Sequence, residues 1–326
     1  MDFFNAALKD NITFVRPAYF VISGFFGIPN IKYYFVFLFF VYSLSFIGNV
    51  TVMTVLMLDH TLRSPKHIAV FNLALTDLLS SSALVPKLID TFLFDHRYIS
   101  YNNCLTYMFF CFTLASMQSL NLVALSIDRL MAILYPLHYQ VKVTHRFMLS
   151  VIAFFWLFAV AVILTAVGLL TRVSFCSSVV IKSYYCDHGP VYQLGCNDVT
   201  PNNAIGRLGT TLILWMPLIF ILFSYCCIIH ALSKISTFQQ RVKAFKTCTG
   251  HISLVALLYL PVLFVYLLRA KISINARIIG LSLSHVIPPT LNPIIYVFQT
   301  QEIKESLKKL LKVREKSKIR TKNEQT

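Results

Sequence analysis

Seven long apolar stretches, separated by short charged loops, dominate this sequence, and Asp77 is the one Asp, Glu, Lys or Arg within them. Each is about as long as the roughly 20 residues that a helix needs to cross the hydrocarbon core of a bilayer. A soluble domain has no use for seven such stretches, because its helices need a polar face. We therefore predict an all-α fold, a bundle of seven transmembrane helices. The stretches are Tyr33–Leu58, Ile68–Pro86, Leu105–Ile127, Phe147–Thr171, Leu208–Ser233, Thr247–Leu268 and Ile278–Gln301.

The seven stretches use most of the 326 residues and leave no room for a second globular domain. We expect an extracellular tail at residues 1–32, a seven-helix transmembrane domain at 33–300, and an amphipathic helix with a basic cytoplasmic tail at 301–326. The last segment begins with lysines on one helical face and apolar side chains on the other, which is typical of a helix lying on the inner leaflet. The apolar positions are Ile303, Leu307, Leu310 and Leu311.

The distribution of charge predicts the orientation of the chain. Lys and Arg concentrate in the loops after the first, third and fifth stretches and in the segment after Thr300. The positive-inside rule places these segments in the cytoplasm and the N-terminus outside a plasma membrane. Asn11-Ile12-Thr13 is an N-glycosylation acceptor, which fits an outside N-terminus. Although the net charge is +16, the bases lie at membrane edges and not on one folded face, so nucleic acid is not an expected partner.

Polar side chains at membrane depth are expensive and usually face the interior of the bundle. The first stretch carries Gly48-Asn49, the second carries Asp77, and the last carries an Asn-Pro-x-x-Tyr element. We predict an internal polar site formed by Asn49, Asp77 and Asn292. Two readings of Asp77 stay open: a carboxylate that is simply paired by the two amides, or a polar switch with a sodium ion nearby.

These elements together resemble the rhodopsin-like (class A) G-protein-coupled receptors. Further motifs narrow the resemblance to odorant receptors over roughly residues 20–312, including three cysteines spaced by ten. Two features look like the fish-like class I branch: Tyr185-Cys186-Asp187-His188 and Pro288-Pro289. The narrowing motifs are Asp128-Arg129 followed by Pro136-Leu137-His138-Tyr139, then Ser224-Tyr225, Lys243–His251, and Cys176, Cys186 and Cys196.

The resemblance implies a function and several site residues. It implies an odorant receptor that activates a heterotrimeric G protein of the stimulatory olfactory type, through cyclic AMP. It also implies two outer disulfides, Cys104–Cys186 and Cys176–Cys196. Leu130 departs from the usual Asp-Arg-Tyr triplet, and Gln118 replaces an acid that is common in the family. The residues implied for coupling and switching are Asp128, Arg129, Tyr225, Asn292, Pro293 and Tyr296.

A ligand pocket is expected in the outer half of the bundle, from helical periodicity along the third, fifth, sixth and seventh stretches. Arg207 and Arg269 lie at the outer ends, so we expect a water-soluble, anionic odorant with one of them as its counter-ion. The alternative is that these bases only meet lipid headgroups. The predicted pocket residues are Cys111, Phe112, Ala115, Ser116, Arg207, Thr210, Tyr259, Val262, Tyr266, Arg269, Ser282 and His285.

Other function classes fit the sequence less well. A non-olfactory rhodopsin-like receptor for a peptide or lipid is the main alternative. A transporter or channel would be favoured by inverted repeats and broken polar helices, and neither pattern appears. The sequence contains no phosphate-binding loop and no nucleophile–base motif, so an enzyme is not expected, and neither is a cofactor. The expected partners are an odorant, a G protein and membrane lipid.

Overall fold

The computed structural model describes residues 15–25, 27–176, 178–234, 238–268 and 271–310. Asn11, Arg269 and the tail beyond residue 310 lie outside the described residues, so the predictions made for them concern sequence alone.

Within these residues, seven helices are long and apolar enough to cross a membrane, which confirms the predicted fold class. The second helix is longer than its apolar stretch at both ends. Pro65 occupies the first turn, where its missing N–H is no loss. Lys66 and Lys87 lie in the parts of the helix outside the apolar stretch. The helices are α1 Lys32–Leu58, α2 Pro65–Leu93, α3 Tyr101–Leu134, α4 His145–Leu170, α5 Thr200–Ser233, α6 Phe238–Leu267 and α7 Ile274–Gln299.

Hydroxyl side chains define where three of these helices begin. Ser100 Oγ accepts a hydrogen bond from the Asn103 N–H at the start of α3, and Thr144 caps α4 in the same way. Ser273 caps α7. Each cap satisfies one of the N–H groups that a helix leaves unpaired in its first turn. The boundaries therefore come from local chemistry and not from the hydropathy pattern.

The helix α3 lies at the centre of the bundle. In the most apolar 18-residue segment of α3, 72% of the residues are buried. The corresponding buried share is 28% for α1 and 22% for α5. The outer helices instead turn aromatic and aliphatic side chains outward, as Phe37 and Phe40 do on α1. An apolar exterior is what a lipid environment requires, since lipid tails are as apolar as these side chains.

A small sheet covers one end of the bundle, which we call the sheet end. Its strands are β1 Tyr19–Ile22, β2 Tyr98–Ser100 and β3 Val180–Ile181, in the order β2-β1-β3. The strand β1 pairs antiparallel with β2 and parallel with β3. The central strand lies within residues 1–32, the segment that was predicted as an extracellular tail. We call the opposite end, where α3 carries Arg129, the Arg129 end.

Two disulfides fix the sheet end. Cys104 at the start of α3 is bonded to Cys186, and Cys176 is bonded to Cys196, with Cα atoms 5.5 and 5.9 Å apart. The loop between α4 and α5 is therefore tied to α3 and closed on itself. Apolar side chains of the sheet and loop pack together beneath it, among them Phe20, which is fully buried.

At the Arg129 end, residues 301–310 form a further helix after α7. Ile303 is fully buried, and Leu307 and Leu310 pack against the main apolar core. The Lys66 ammonium lies 2.8 Å from the Glu302 carboxylate and joins this helix to the start of α2. The predicted apolar face is thus the face that contacts the bundle at these three positions.

We expect Phe20→Ala to loosen the sheet end, because truncation of a buried Phe costs about 3–5 kcal/mol. Amide hydrogen exchange should accelerate across β1 and β2, which are held by bonds such as Ile22 N–H to Arg97 O. Tyr19→Ala is the matched control, since Tyr19 is the neighbour on the exposed face of the same strand. Equal exchange in the two variants would contradict the packing described.

Candidate functional site

Asp77 is fully buried in the bundle and held by two amides. Gln118 Nε2 donates to Asp77 Oδ1 at 2.8 Å, and Asn292 Nδ2 donates to Asp77 Oδ2 at 2.6 Å. These bonds join α2 to α3 and α7 through one carboxylate. A buried carboxylate needs such partners, because its burial without them is expensive. The predicted contact between Asp77 and Asn292 is present.

Asn49, the third residue of the predicted polar site, does not bond to Asp77 in the structure. Its Nδ2 donates instead to the backbone carbonyl of Pro289 at 2.8 Å. That carbonyl lacks its usual helical donor, because the residue four positions later is Pro293, which has no N–H. Gly48 allows α1 to approach closely, since a Cβ there would lie 3.1 Å from the Pro293 ring. Gln118 takes the place beside Asp77 that was predicted for Asn49.

A cavity of about 10 Å³, measured as the space open to the centre of a water molecule, adjoins this carboxylate. Asp77, Gln118 and Asn292 line it together with leucines and Pro288. This is about the size needed for one water or one small ion. The side-chain oxygen of Asn292 is buried and makes no hydrogen bond with the described residues. Hard cations prefer oxygen ligands, so the site fits a sodium ion held by Asp77 and Asn292.

A second polar network joins α2, α3 and α4. Asn72 Nδ2 donates to Asn121 Oδ1 at 2.6 Å, and Asn121 Nδ2 donates to Thr76 Oγ1 at 3.0 Å. Trp156 Nε1 donates to Asn72 Oδ1 at 3.2 Å. None of Asn72, Asn121 and Trp156 was among the predicted site residues. The signal that could have identified Asn121 was its position, as a polar side chain inside an apolar stretch.

At the Arg129 end, the Asp128 carboxylate is buried and has two partners. The Tyr139 hydroxyl donates to Asp128 Oδ1 at 2.6 Å, and Arg129 Nε lies 3.7 Å from Asp128 Oδ2. The ion pair between Arg129 and Asp128 is long, and the Arg129 side chain is 22% exposed. The guanidinium is therefore loosely held, whereas Tyr139 fixes the carboxylate to the loop after α3.

His251 connects α6 to its neighbours near the same end. Its Nε2 lies 2.9 Å from the Leu122 carbonyl of α3, and its Nδ1 lies 2.8 Å from the Tyr225 hydroxyl of α5. The tautomer that satisfies both has Nε2 donating to the carbonyl and Nδ1 accepting from Tyr225. Tyr225 was a predicted switch residue, and His251 was quoted only within a motif. We call these three residues the His251 latch.

Among the predicted switch residues on α7, Asn292 bonds to Asp77. Pro293 leaves the Pro289 carbonyl without a helical donor, and Asn49 donates to that carbonyl. Tyr296 is buried, and its hydroxyl makes no hydrogen bond with the described residues. An unpaired hydroxyl at this depth is unusual. A different arrangement of the helices would be able to give the Tyr296 hydroxyl a hydrogen-bond partner.

Many of the predicted pocket residues lie in or between the helices of the sheet-end half. The Tyr259 and Ser119 hydroxyls are 2.6 Å apart, and the Ser282 hydroxyl is 2.5 Å from that of Tyr34. Several of the remaining polar side chains bond to backbone carbonyls of their own helices. These are Ser116 to Phe112, Thr210 to Gly206, and His285 to Leu281. Cys111, Phe112, Ala115 and Val262 are half-buried.

Two predicted pocket residues point elsewhere. Arg207 is exposed, and its Nε donates to Asn203 Oδ1 one turn earlier. Tyr266 is 48% exposed, with its ring edge-on to Trp215 of α5. Val265, one residue earlier and so about 100° around the helix, takes the buried position. Both side chains are exposed in this arrangement, and their roles in a pocket stay predictions.

Two tyrosines of the loop before Cys186 were not assigned to the pocket: Tyr184 was not named, and Tyr185 was quoted only within a motif. Tyr184 and Tyr185 are buried, and the Tyr185 ring lies 5.9 Å from Phe112. Burial first, and then the Asp187 carboxylate, raises the pKa of Tyr184 well above its usual range. Its hydroxyl makes no hydrogen bond with the described residues. Their burial follows from the disulfide at Cys186, which draws the loop over the bundle.

We expect Gln118→Leu to destabilise the protein, because Asp77 Oδ1 loses its donor and an unpaired buried group costs about 1–3 kcal/mol. Met117→Leu is the control, since it changes a buried neighbour of Gln118 while nearly conserving volume. Thermal unfolding in detergent and sodium-free buffer should show a lower midpoint for Gln118→Leu alone. Equal midpoints for the two variants would contradict the role assigned to Gln118.

Comparison with known proteins agrees with these features. Residues 38–314 match the family model described as olfactory receptor. Olfactory receptor 6C4 of Homo sapiens is 32% identical over 295 residues, which cover 90% of this chain and 96% of the relative. Olfactory receptor 52K1 of Homo sapiens is 33% identical over 306 residues, with coverage of 91% and 96%. Olfactory receptor 51I1 of the same species is 33% identical over 271 residues, with coverage of 82% and 86%.

The matched region contains all seven helices except the first turns of α1. The identity extends over most of the chain and of each relative, so it does not come from one shared motif. The chain therefore belongs to the olfactory receptor family and is an odorant-sensing G-protein-coupled receptor, not an enzyme.

Proposed function

We propose that this receptor binds a small odorant from the extracellular side and activates a G protein of the stimulatory olfactory type, which raises cyclic AMP. The arrangement at the Arg129 end carries the proposal. A loosely held guanidinium there adjoins a helix, α6, whose inner half is attached through the His251 latch. A receptor of this family needs such a place, where a partner can bind once a helix has moved.

We place the sheet end outside the cell and the Arg129 end in the cytoplasm of the plasma membrane. The proposal is supported by the acceptor sequence at Asn11 and by both disulfides, which persist in oxidising compartments. It is also supported by the basic loops at the opposite end. In this orientation residues 301–310 lie along the inner leaflet.

Odorant binding would act by shifting an equilibrium between two arrangements of the bundle. The inactive arrangement keeps α6 on α3 through His251. In the active arrangement α6 moves outward, the His251 bonds open, and Tyr225 is released. Tyr225 and the already unpaired Tyr296 can then bond to new partners. Asp128 and Arg129 would then form part of the surface that contacts the G protein.

The polar site at Asp77 would stabilise one of these arrangements. A sodium ion bound by Asp77 and Asn292 would hold α2 and α7 together, beside the amide of Gln118. Because Gln118 carries no charge, α3 contributes no second carboxylate to the ion. We therefore expect weaker sodium binding than a site with two carboxylates would give.

The odorant would occupy the sheet-end half of the bundle. We propose that it contacts the predicted residues that lie there, such as Cys111, Phe112 and Tyr259, and also Tyr184 and Tyr185 of the covering loop. We further propose an anionic, water-soluble odorant whose charge is held at the rim by Arg207 or Arg269. The exposed position of Arg207 restricts it to the rim and leaves the aromatic and aliphatic walls to the body of the odorant.

Arg129→Ala is expected to abolish the agonist-driven rise in cyclic AMP while surface expression stays near that of the wild type. The physical reason is the loss of the cation that would contact the G protein. Arg146→Ala is the control, because it removes an exposed base at the start of α4 on the same end. A full response from Arg129→Ala would rule out the role proposed for this residue.

Loss of a charge-assisted hydrogen bond worth about 1.5–3 kcal/mol should weaken the potency of a carboxylate agonist by roughly 10- to 100-fold in Arg207→Ala or Arg269→Ala. Lys32→Ala, which removes an exposed base at the start of α1, should leave potency unchanged. Wild-type potency in both arginine variants, or an agonist that is an uncharged hydrocarbon-like volatile, would end the anionic proposal but not the receptor assignment.

A further inference from the structure

A polar cleft of about 140 Å³ lies at the sheet end, outside the predicted pocket. It opens between the end of α4, the loop just after Cys196, and the first turn of α5. No residue that lines it was assigned to odorant binding. Its lining residues are Leu169, Arg172, Asn197, Asp198, Pro201 and Asn202.

The walls of this cleft are held in place by specific bonds. Asn197 Nδ2 donates to the Arg172 carbonyl at 2.7 Å, and its Oδ1 accepts from the Ser174 N–H at 3.0 Å. The Cys196 N–H donates to the Ser174 carbonyl at 2.9 Å, next to the disulfide that Cys196 forms. The loop side of the cleft is therefore fixed to the end of α4. A site with such walls needs little ordering when a ligand enters.

Two opposite charges border the cleft without pairing with each other. No hydrogen bond or ion pair joins the Arg172 guanidinium to the Asp198 carboxylate among the described residues, although the charge of Arg172 acts on that carboxylate. Asp198 Oδ1 accepts from the Thr200 N–H at 2.9 Å at the start of α5. Hydrogen bonds from Thr200, and then the charge of Arg172, lower the pKa of Asp198, which is ionised at neutral pH. The cleft thus presents an exposed cation on one side and, on the other, an anion held at the start of α5.

Asn202 supplies a third polar group. It lines the cleft from the first turn of α5, is 2% exposed, and its Nδ2 makes no hydrogen bond with the described residues. A buried donor without a partner is destabilising, and an acceptor on a ligand would supply the missing partner.

We propose that this cleft binds a small zwitterion, with its anionic group between Arg172 and the Asn202 amide and its ammonium at Asp198. A single ion would meet one favourable and one unfavourable charge, whereas a zwitterion pairs with both. Two sources share this chemistry: a free amino acid, or the headgroup of phosphatidylethanolamine in the outer leaflet. The site is separate from the odorant pocket and does not depend on the function proposed above.

The test is binding by the purified full-length receptor in detergent, followed by saturation-transfer NMR with L-alanine and, separately, with glycerophosphoethanolamine. At least one of them should bind saturably, and which one binds identifies the source. Acetate and ethylamine should each bind about tenfold more weakly or worse, because each lacks one of two charge-assisted contacts.

The variants Arg172→Gln and Asp198→Asn should each weaken binding of that zwitterion by about tenfold or more. Both side chains are exposed, so folding should survive, which a thermal-unfolding midpoint near that of the wild type would verify. Lys182→Gln, an exposed base elsewhere in the same loop, is the matched control. The proposal fails if neither zwitterion binds saturably, if acetate alone binds as tightly, or if Arg172→Gln binds like the wild type.

Discussion

The absence of water in the hydrocarbon core is the constraint on which this structure depends. A polar group there must find its partner within the protein. Pro293 illustrates the consequence, since its missing N–H leaves the Pro289 carbonyl without a helical donor, and Asn49 of α1 supplies one. The same requirement joins α2 to α3 and α7 at Asp77. Packing of apolar surface cannot specify such contacts, because the lipid outside is equally apolar.

Hydropathy and spacing were enough to predict the seven helices, since length and lack of charge alone identify a membrane span. They also predicted that Asp77 and Asn292 would lie together, because polar side chains at membrane depth face the interior of the bundle. The helix at residues 301–310 follows from its amphipathic pattern in the same way. These successes share one cause: each rests on a property of a single segment or on the general cost of burying a polar group.

The partner of each polar group was harder to predict, because it depends on the rotation and depth of a helix relative to its neighbours. Asn49 was assigned to Asp77, but it donates to the Pro289 carbonyl that Pro293 leaves without a helical donor. On α6 a difference of one residue decides burial, since Val265 is buried in the bundle and its neighbour Tyr266 is exposed. Burial of Tyr184 depends on the path of a loop that is tied by the Cys186 disulfide. A periodic sequence pattern cannot predict such a path.

The central claim is that α6 is attached at its inner half by the His251 latch and moves away when the receptor is activated. Spin labels at Leu149 on α4 and Val242 on α6, both exposed positions, would report this movement in a variant whose other reactive cysteines are replaced. Electron–electron resonance should show longer label separations after an agonist and a G protein are added. Unchanged separations in a receptor that still activates its G protein would contradict the account.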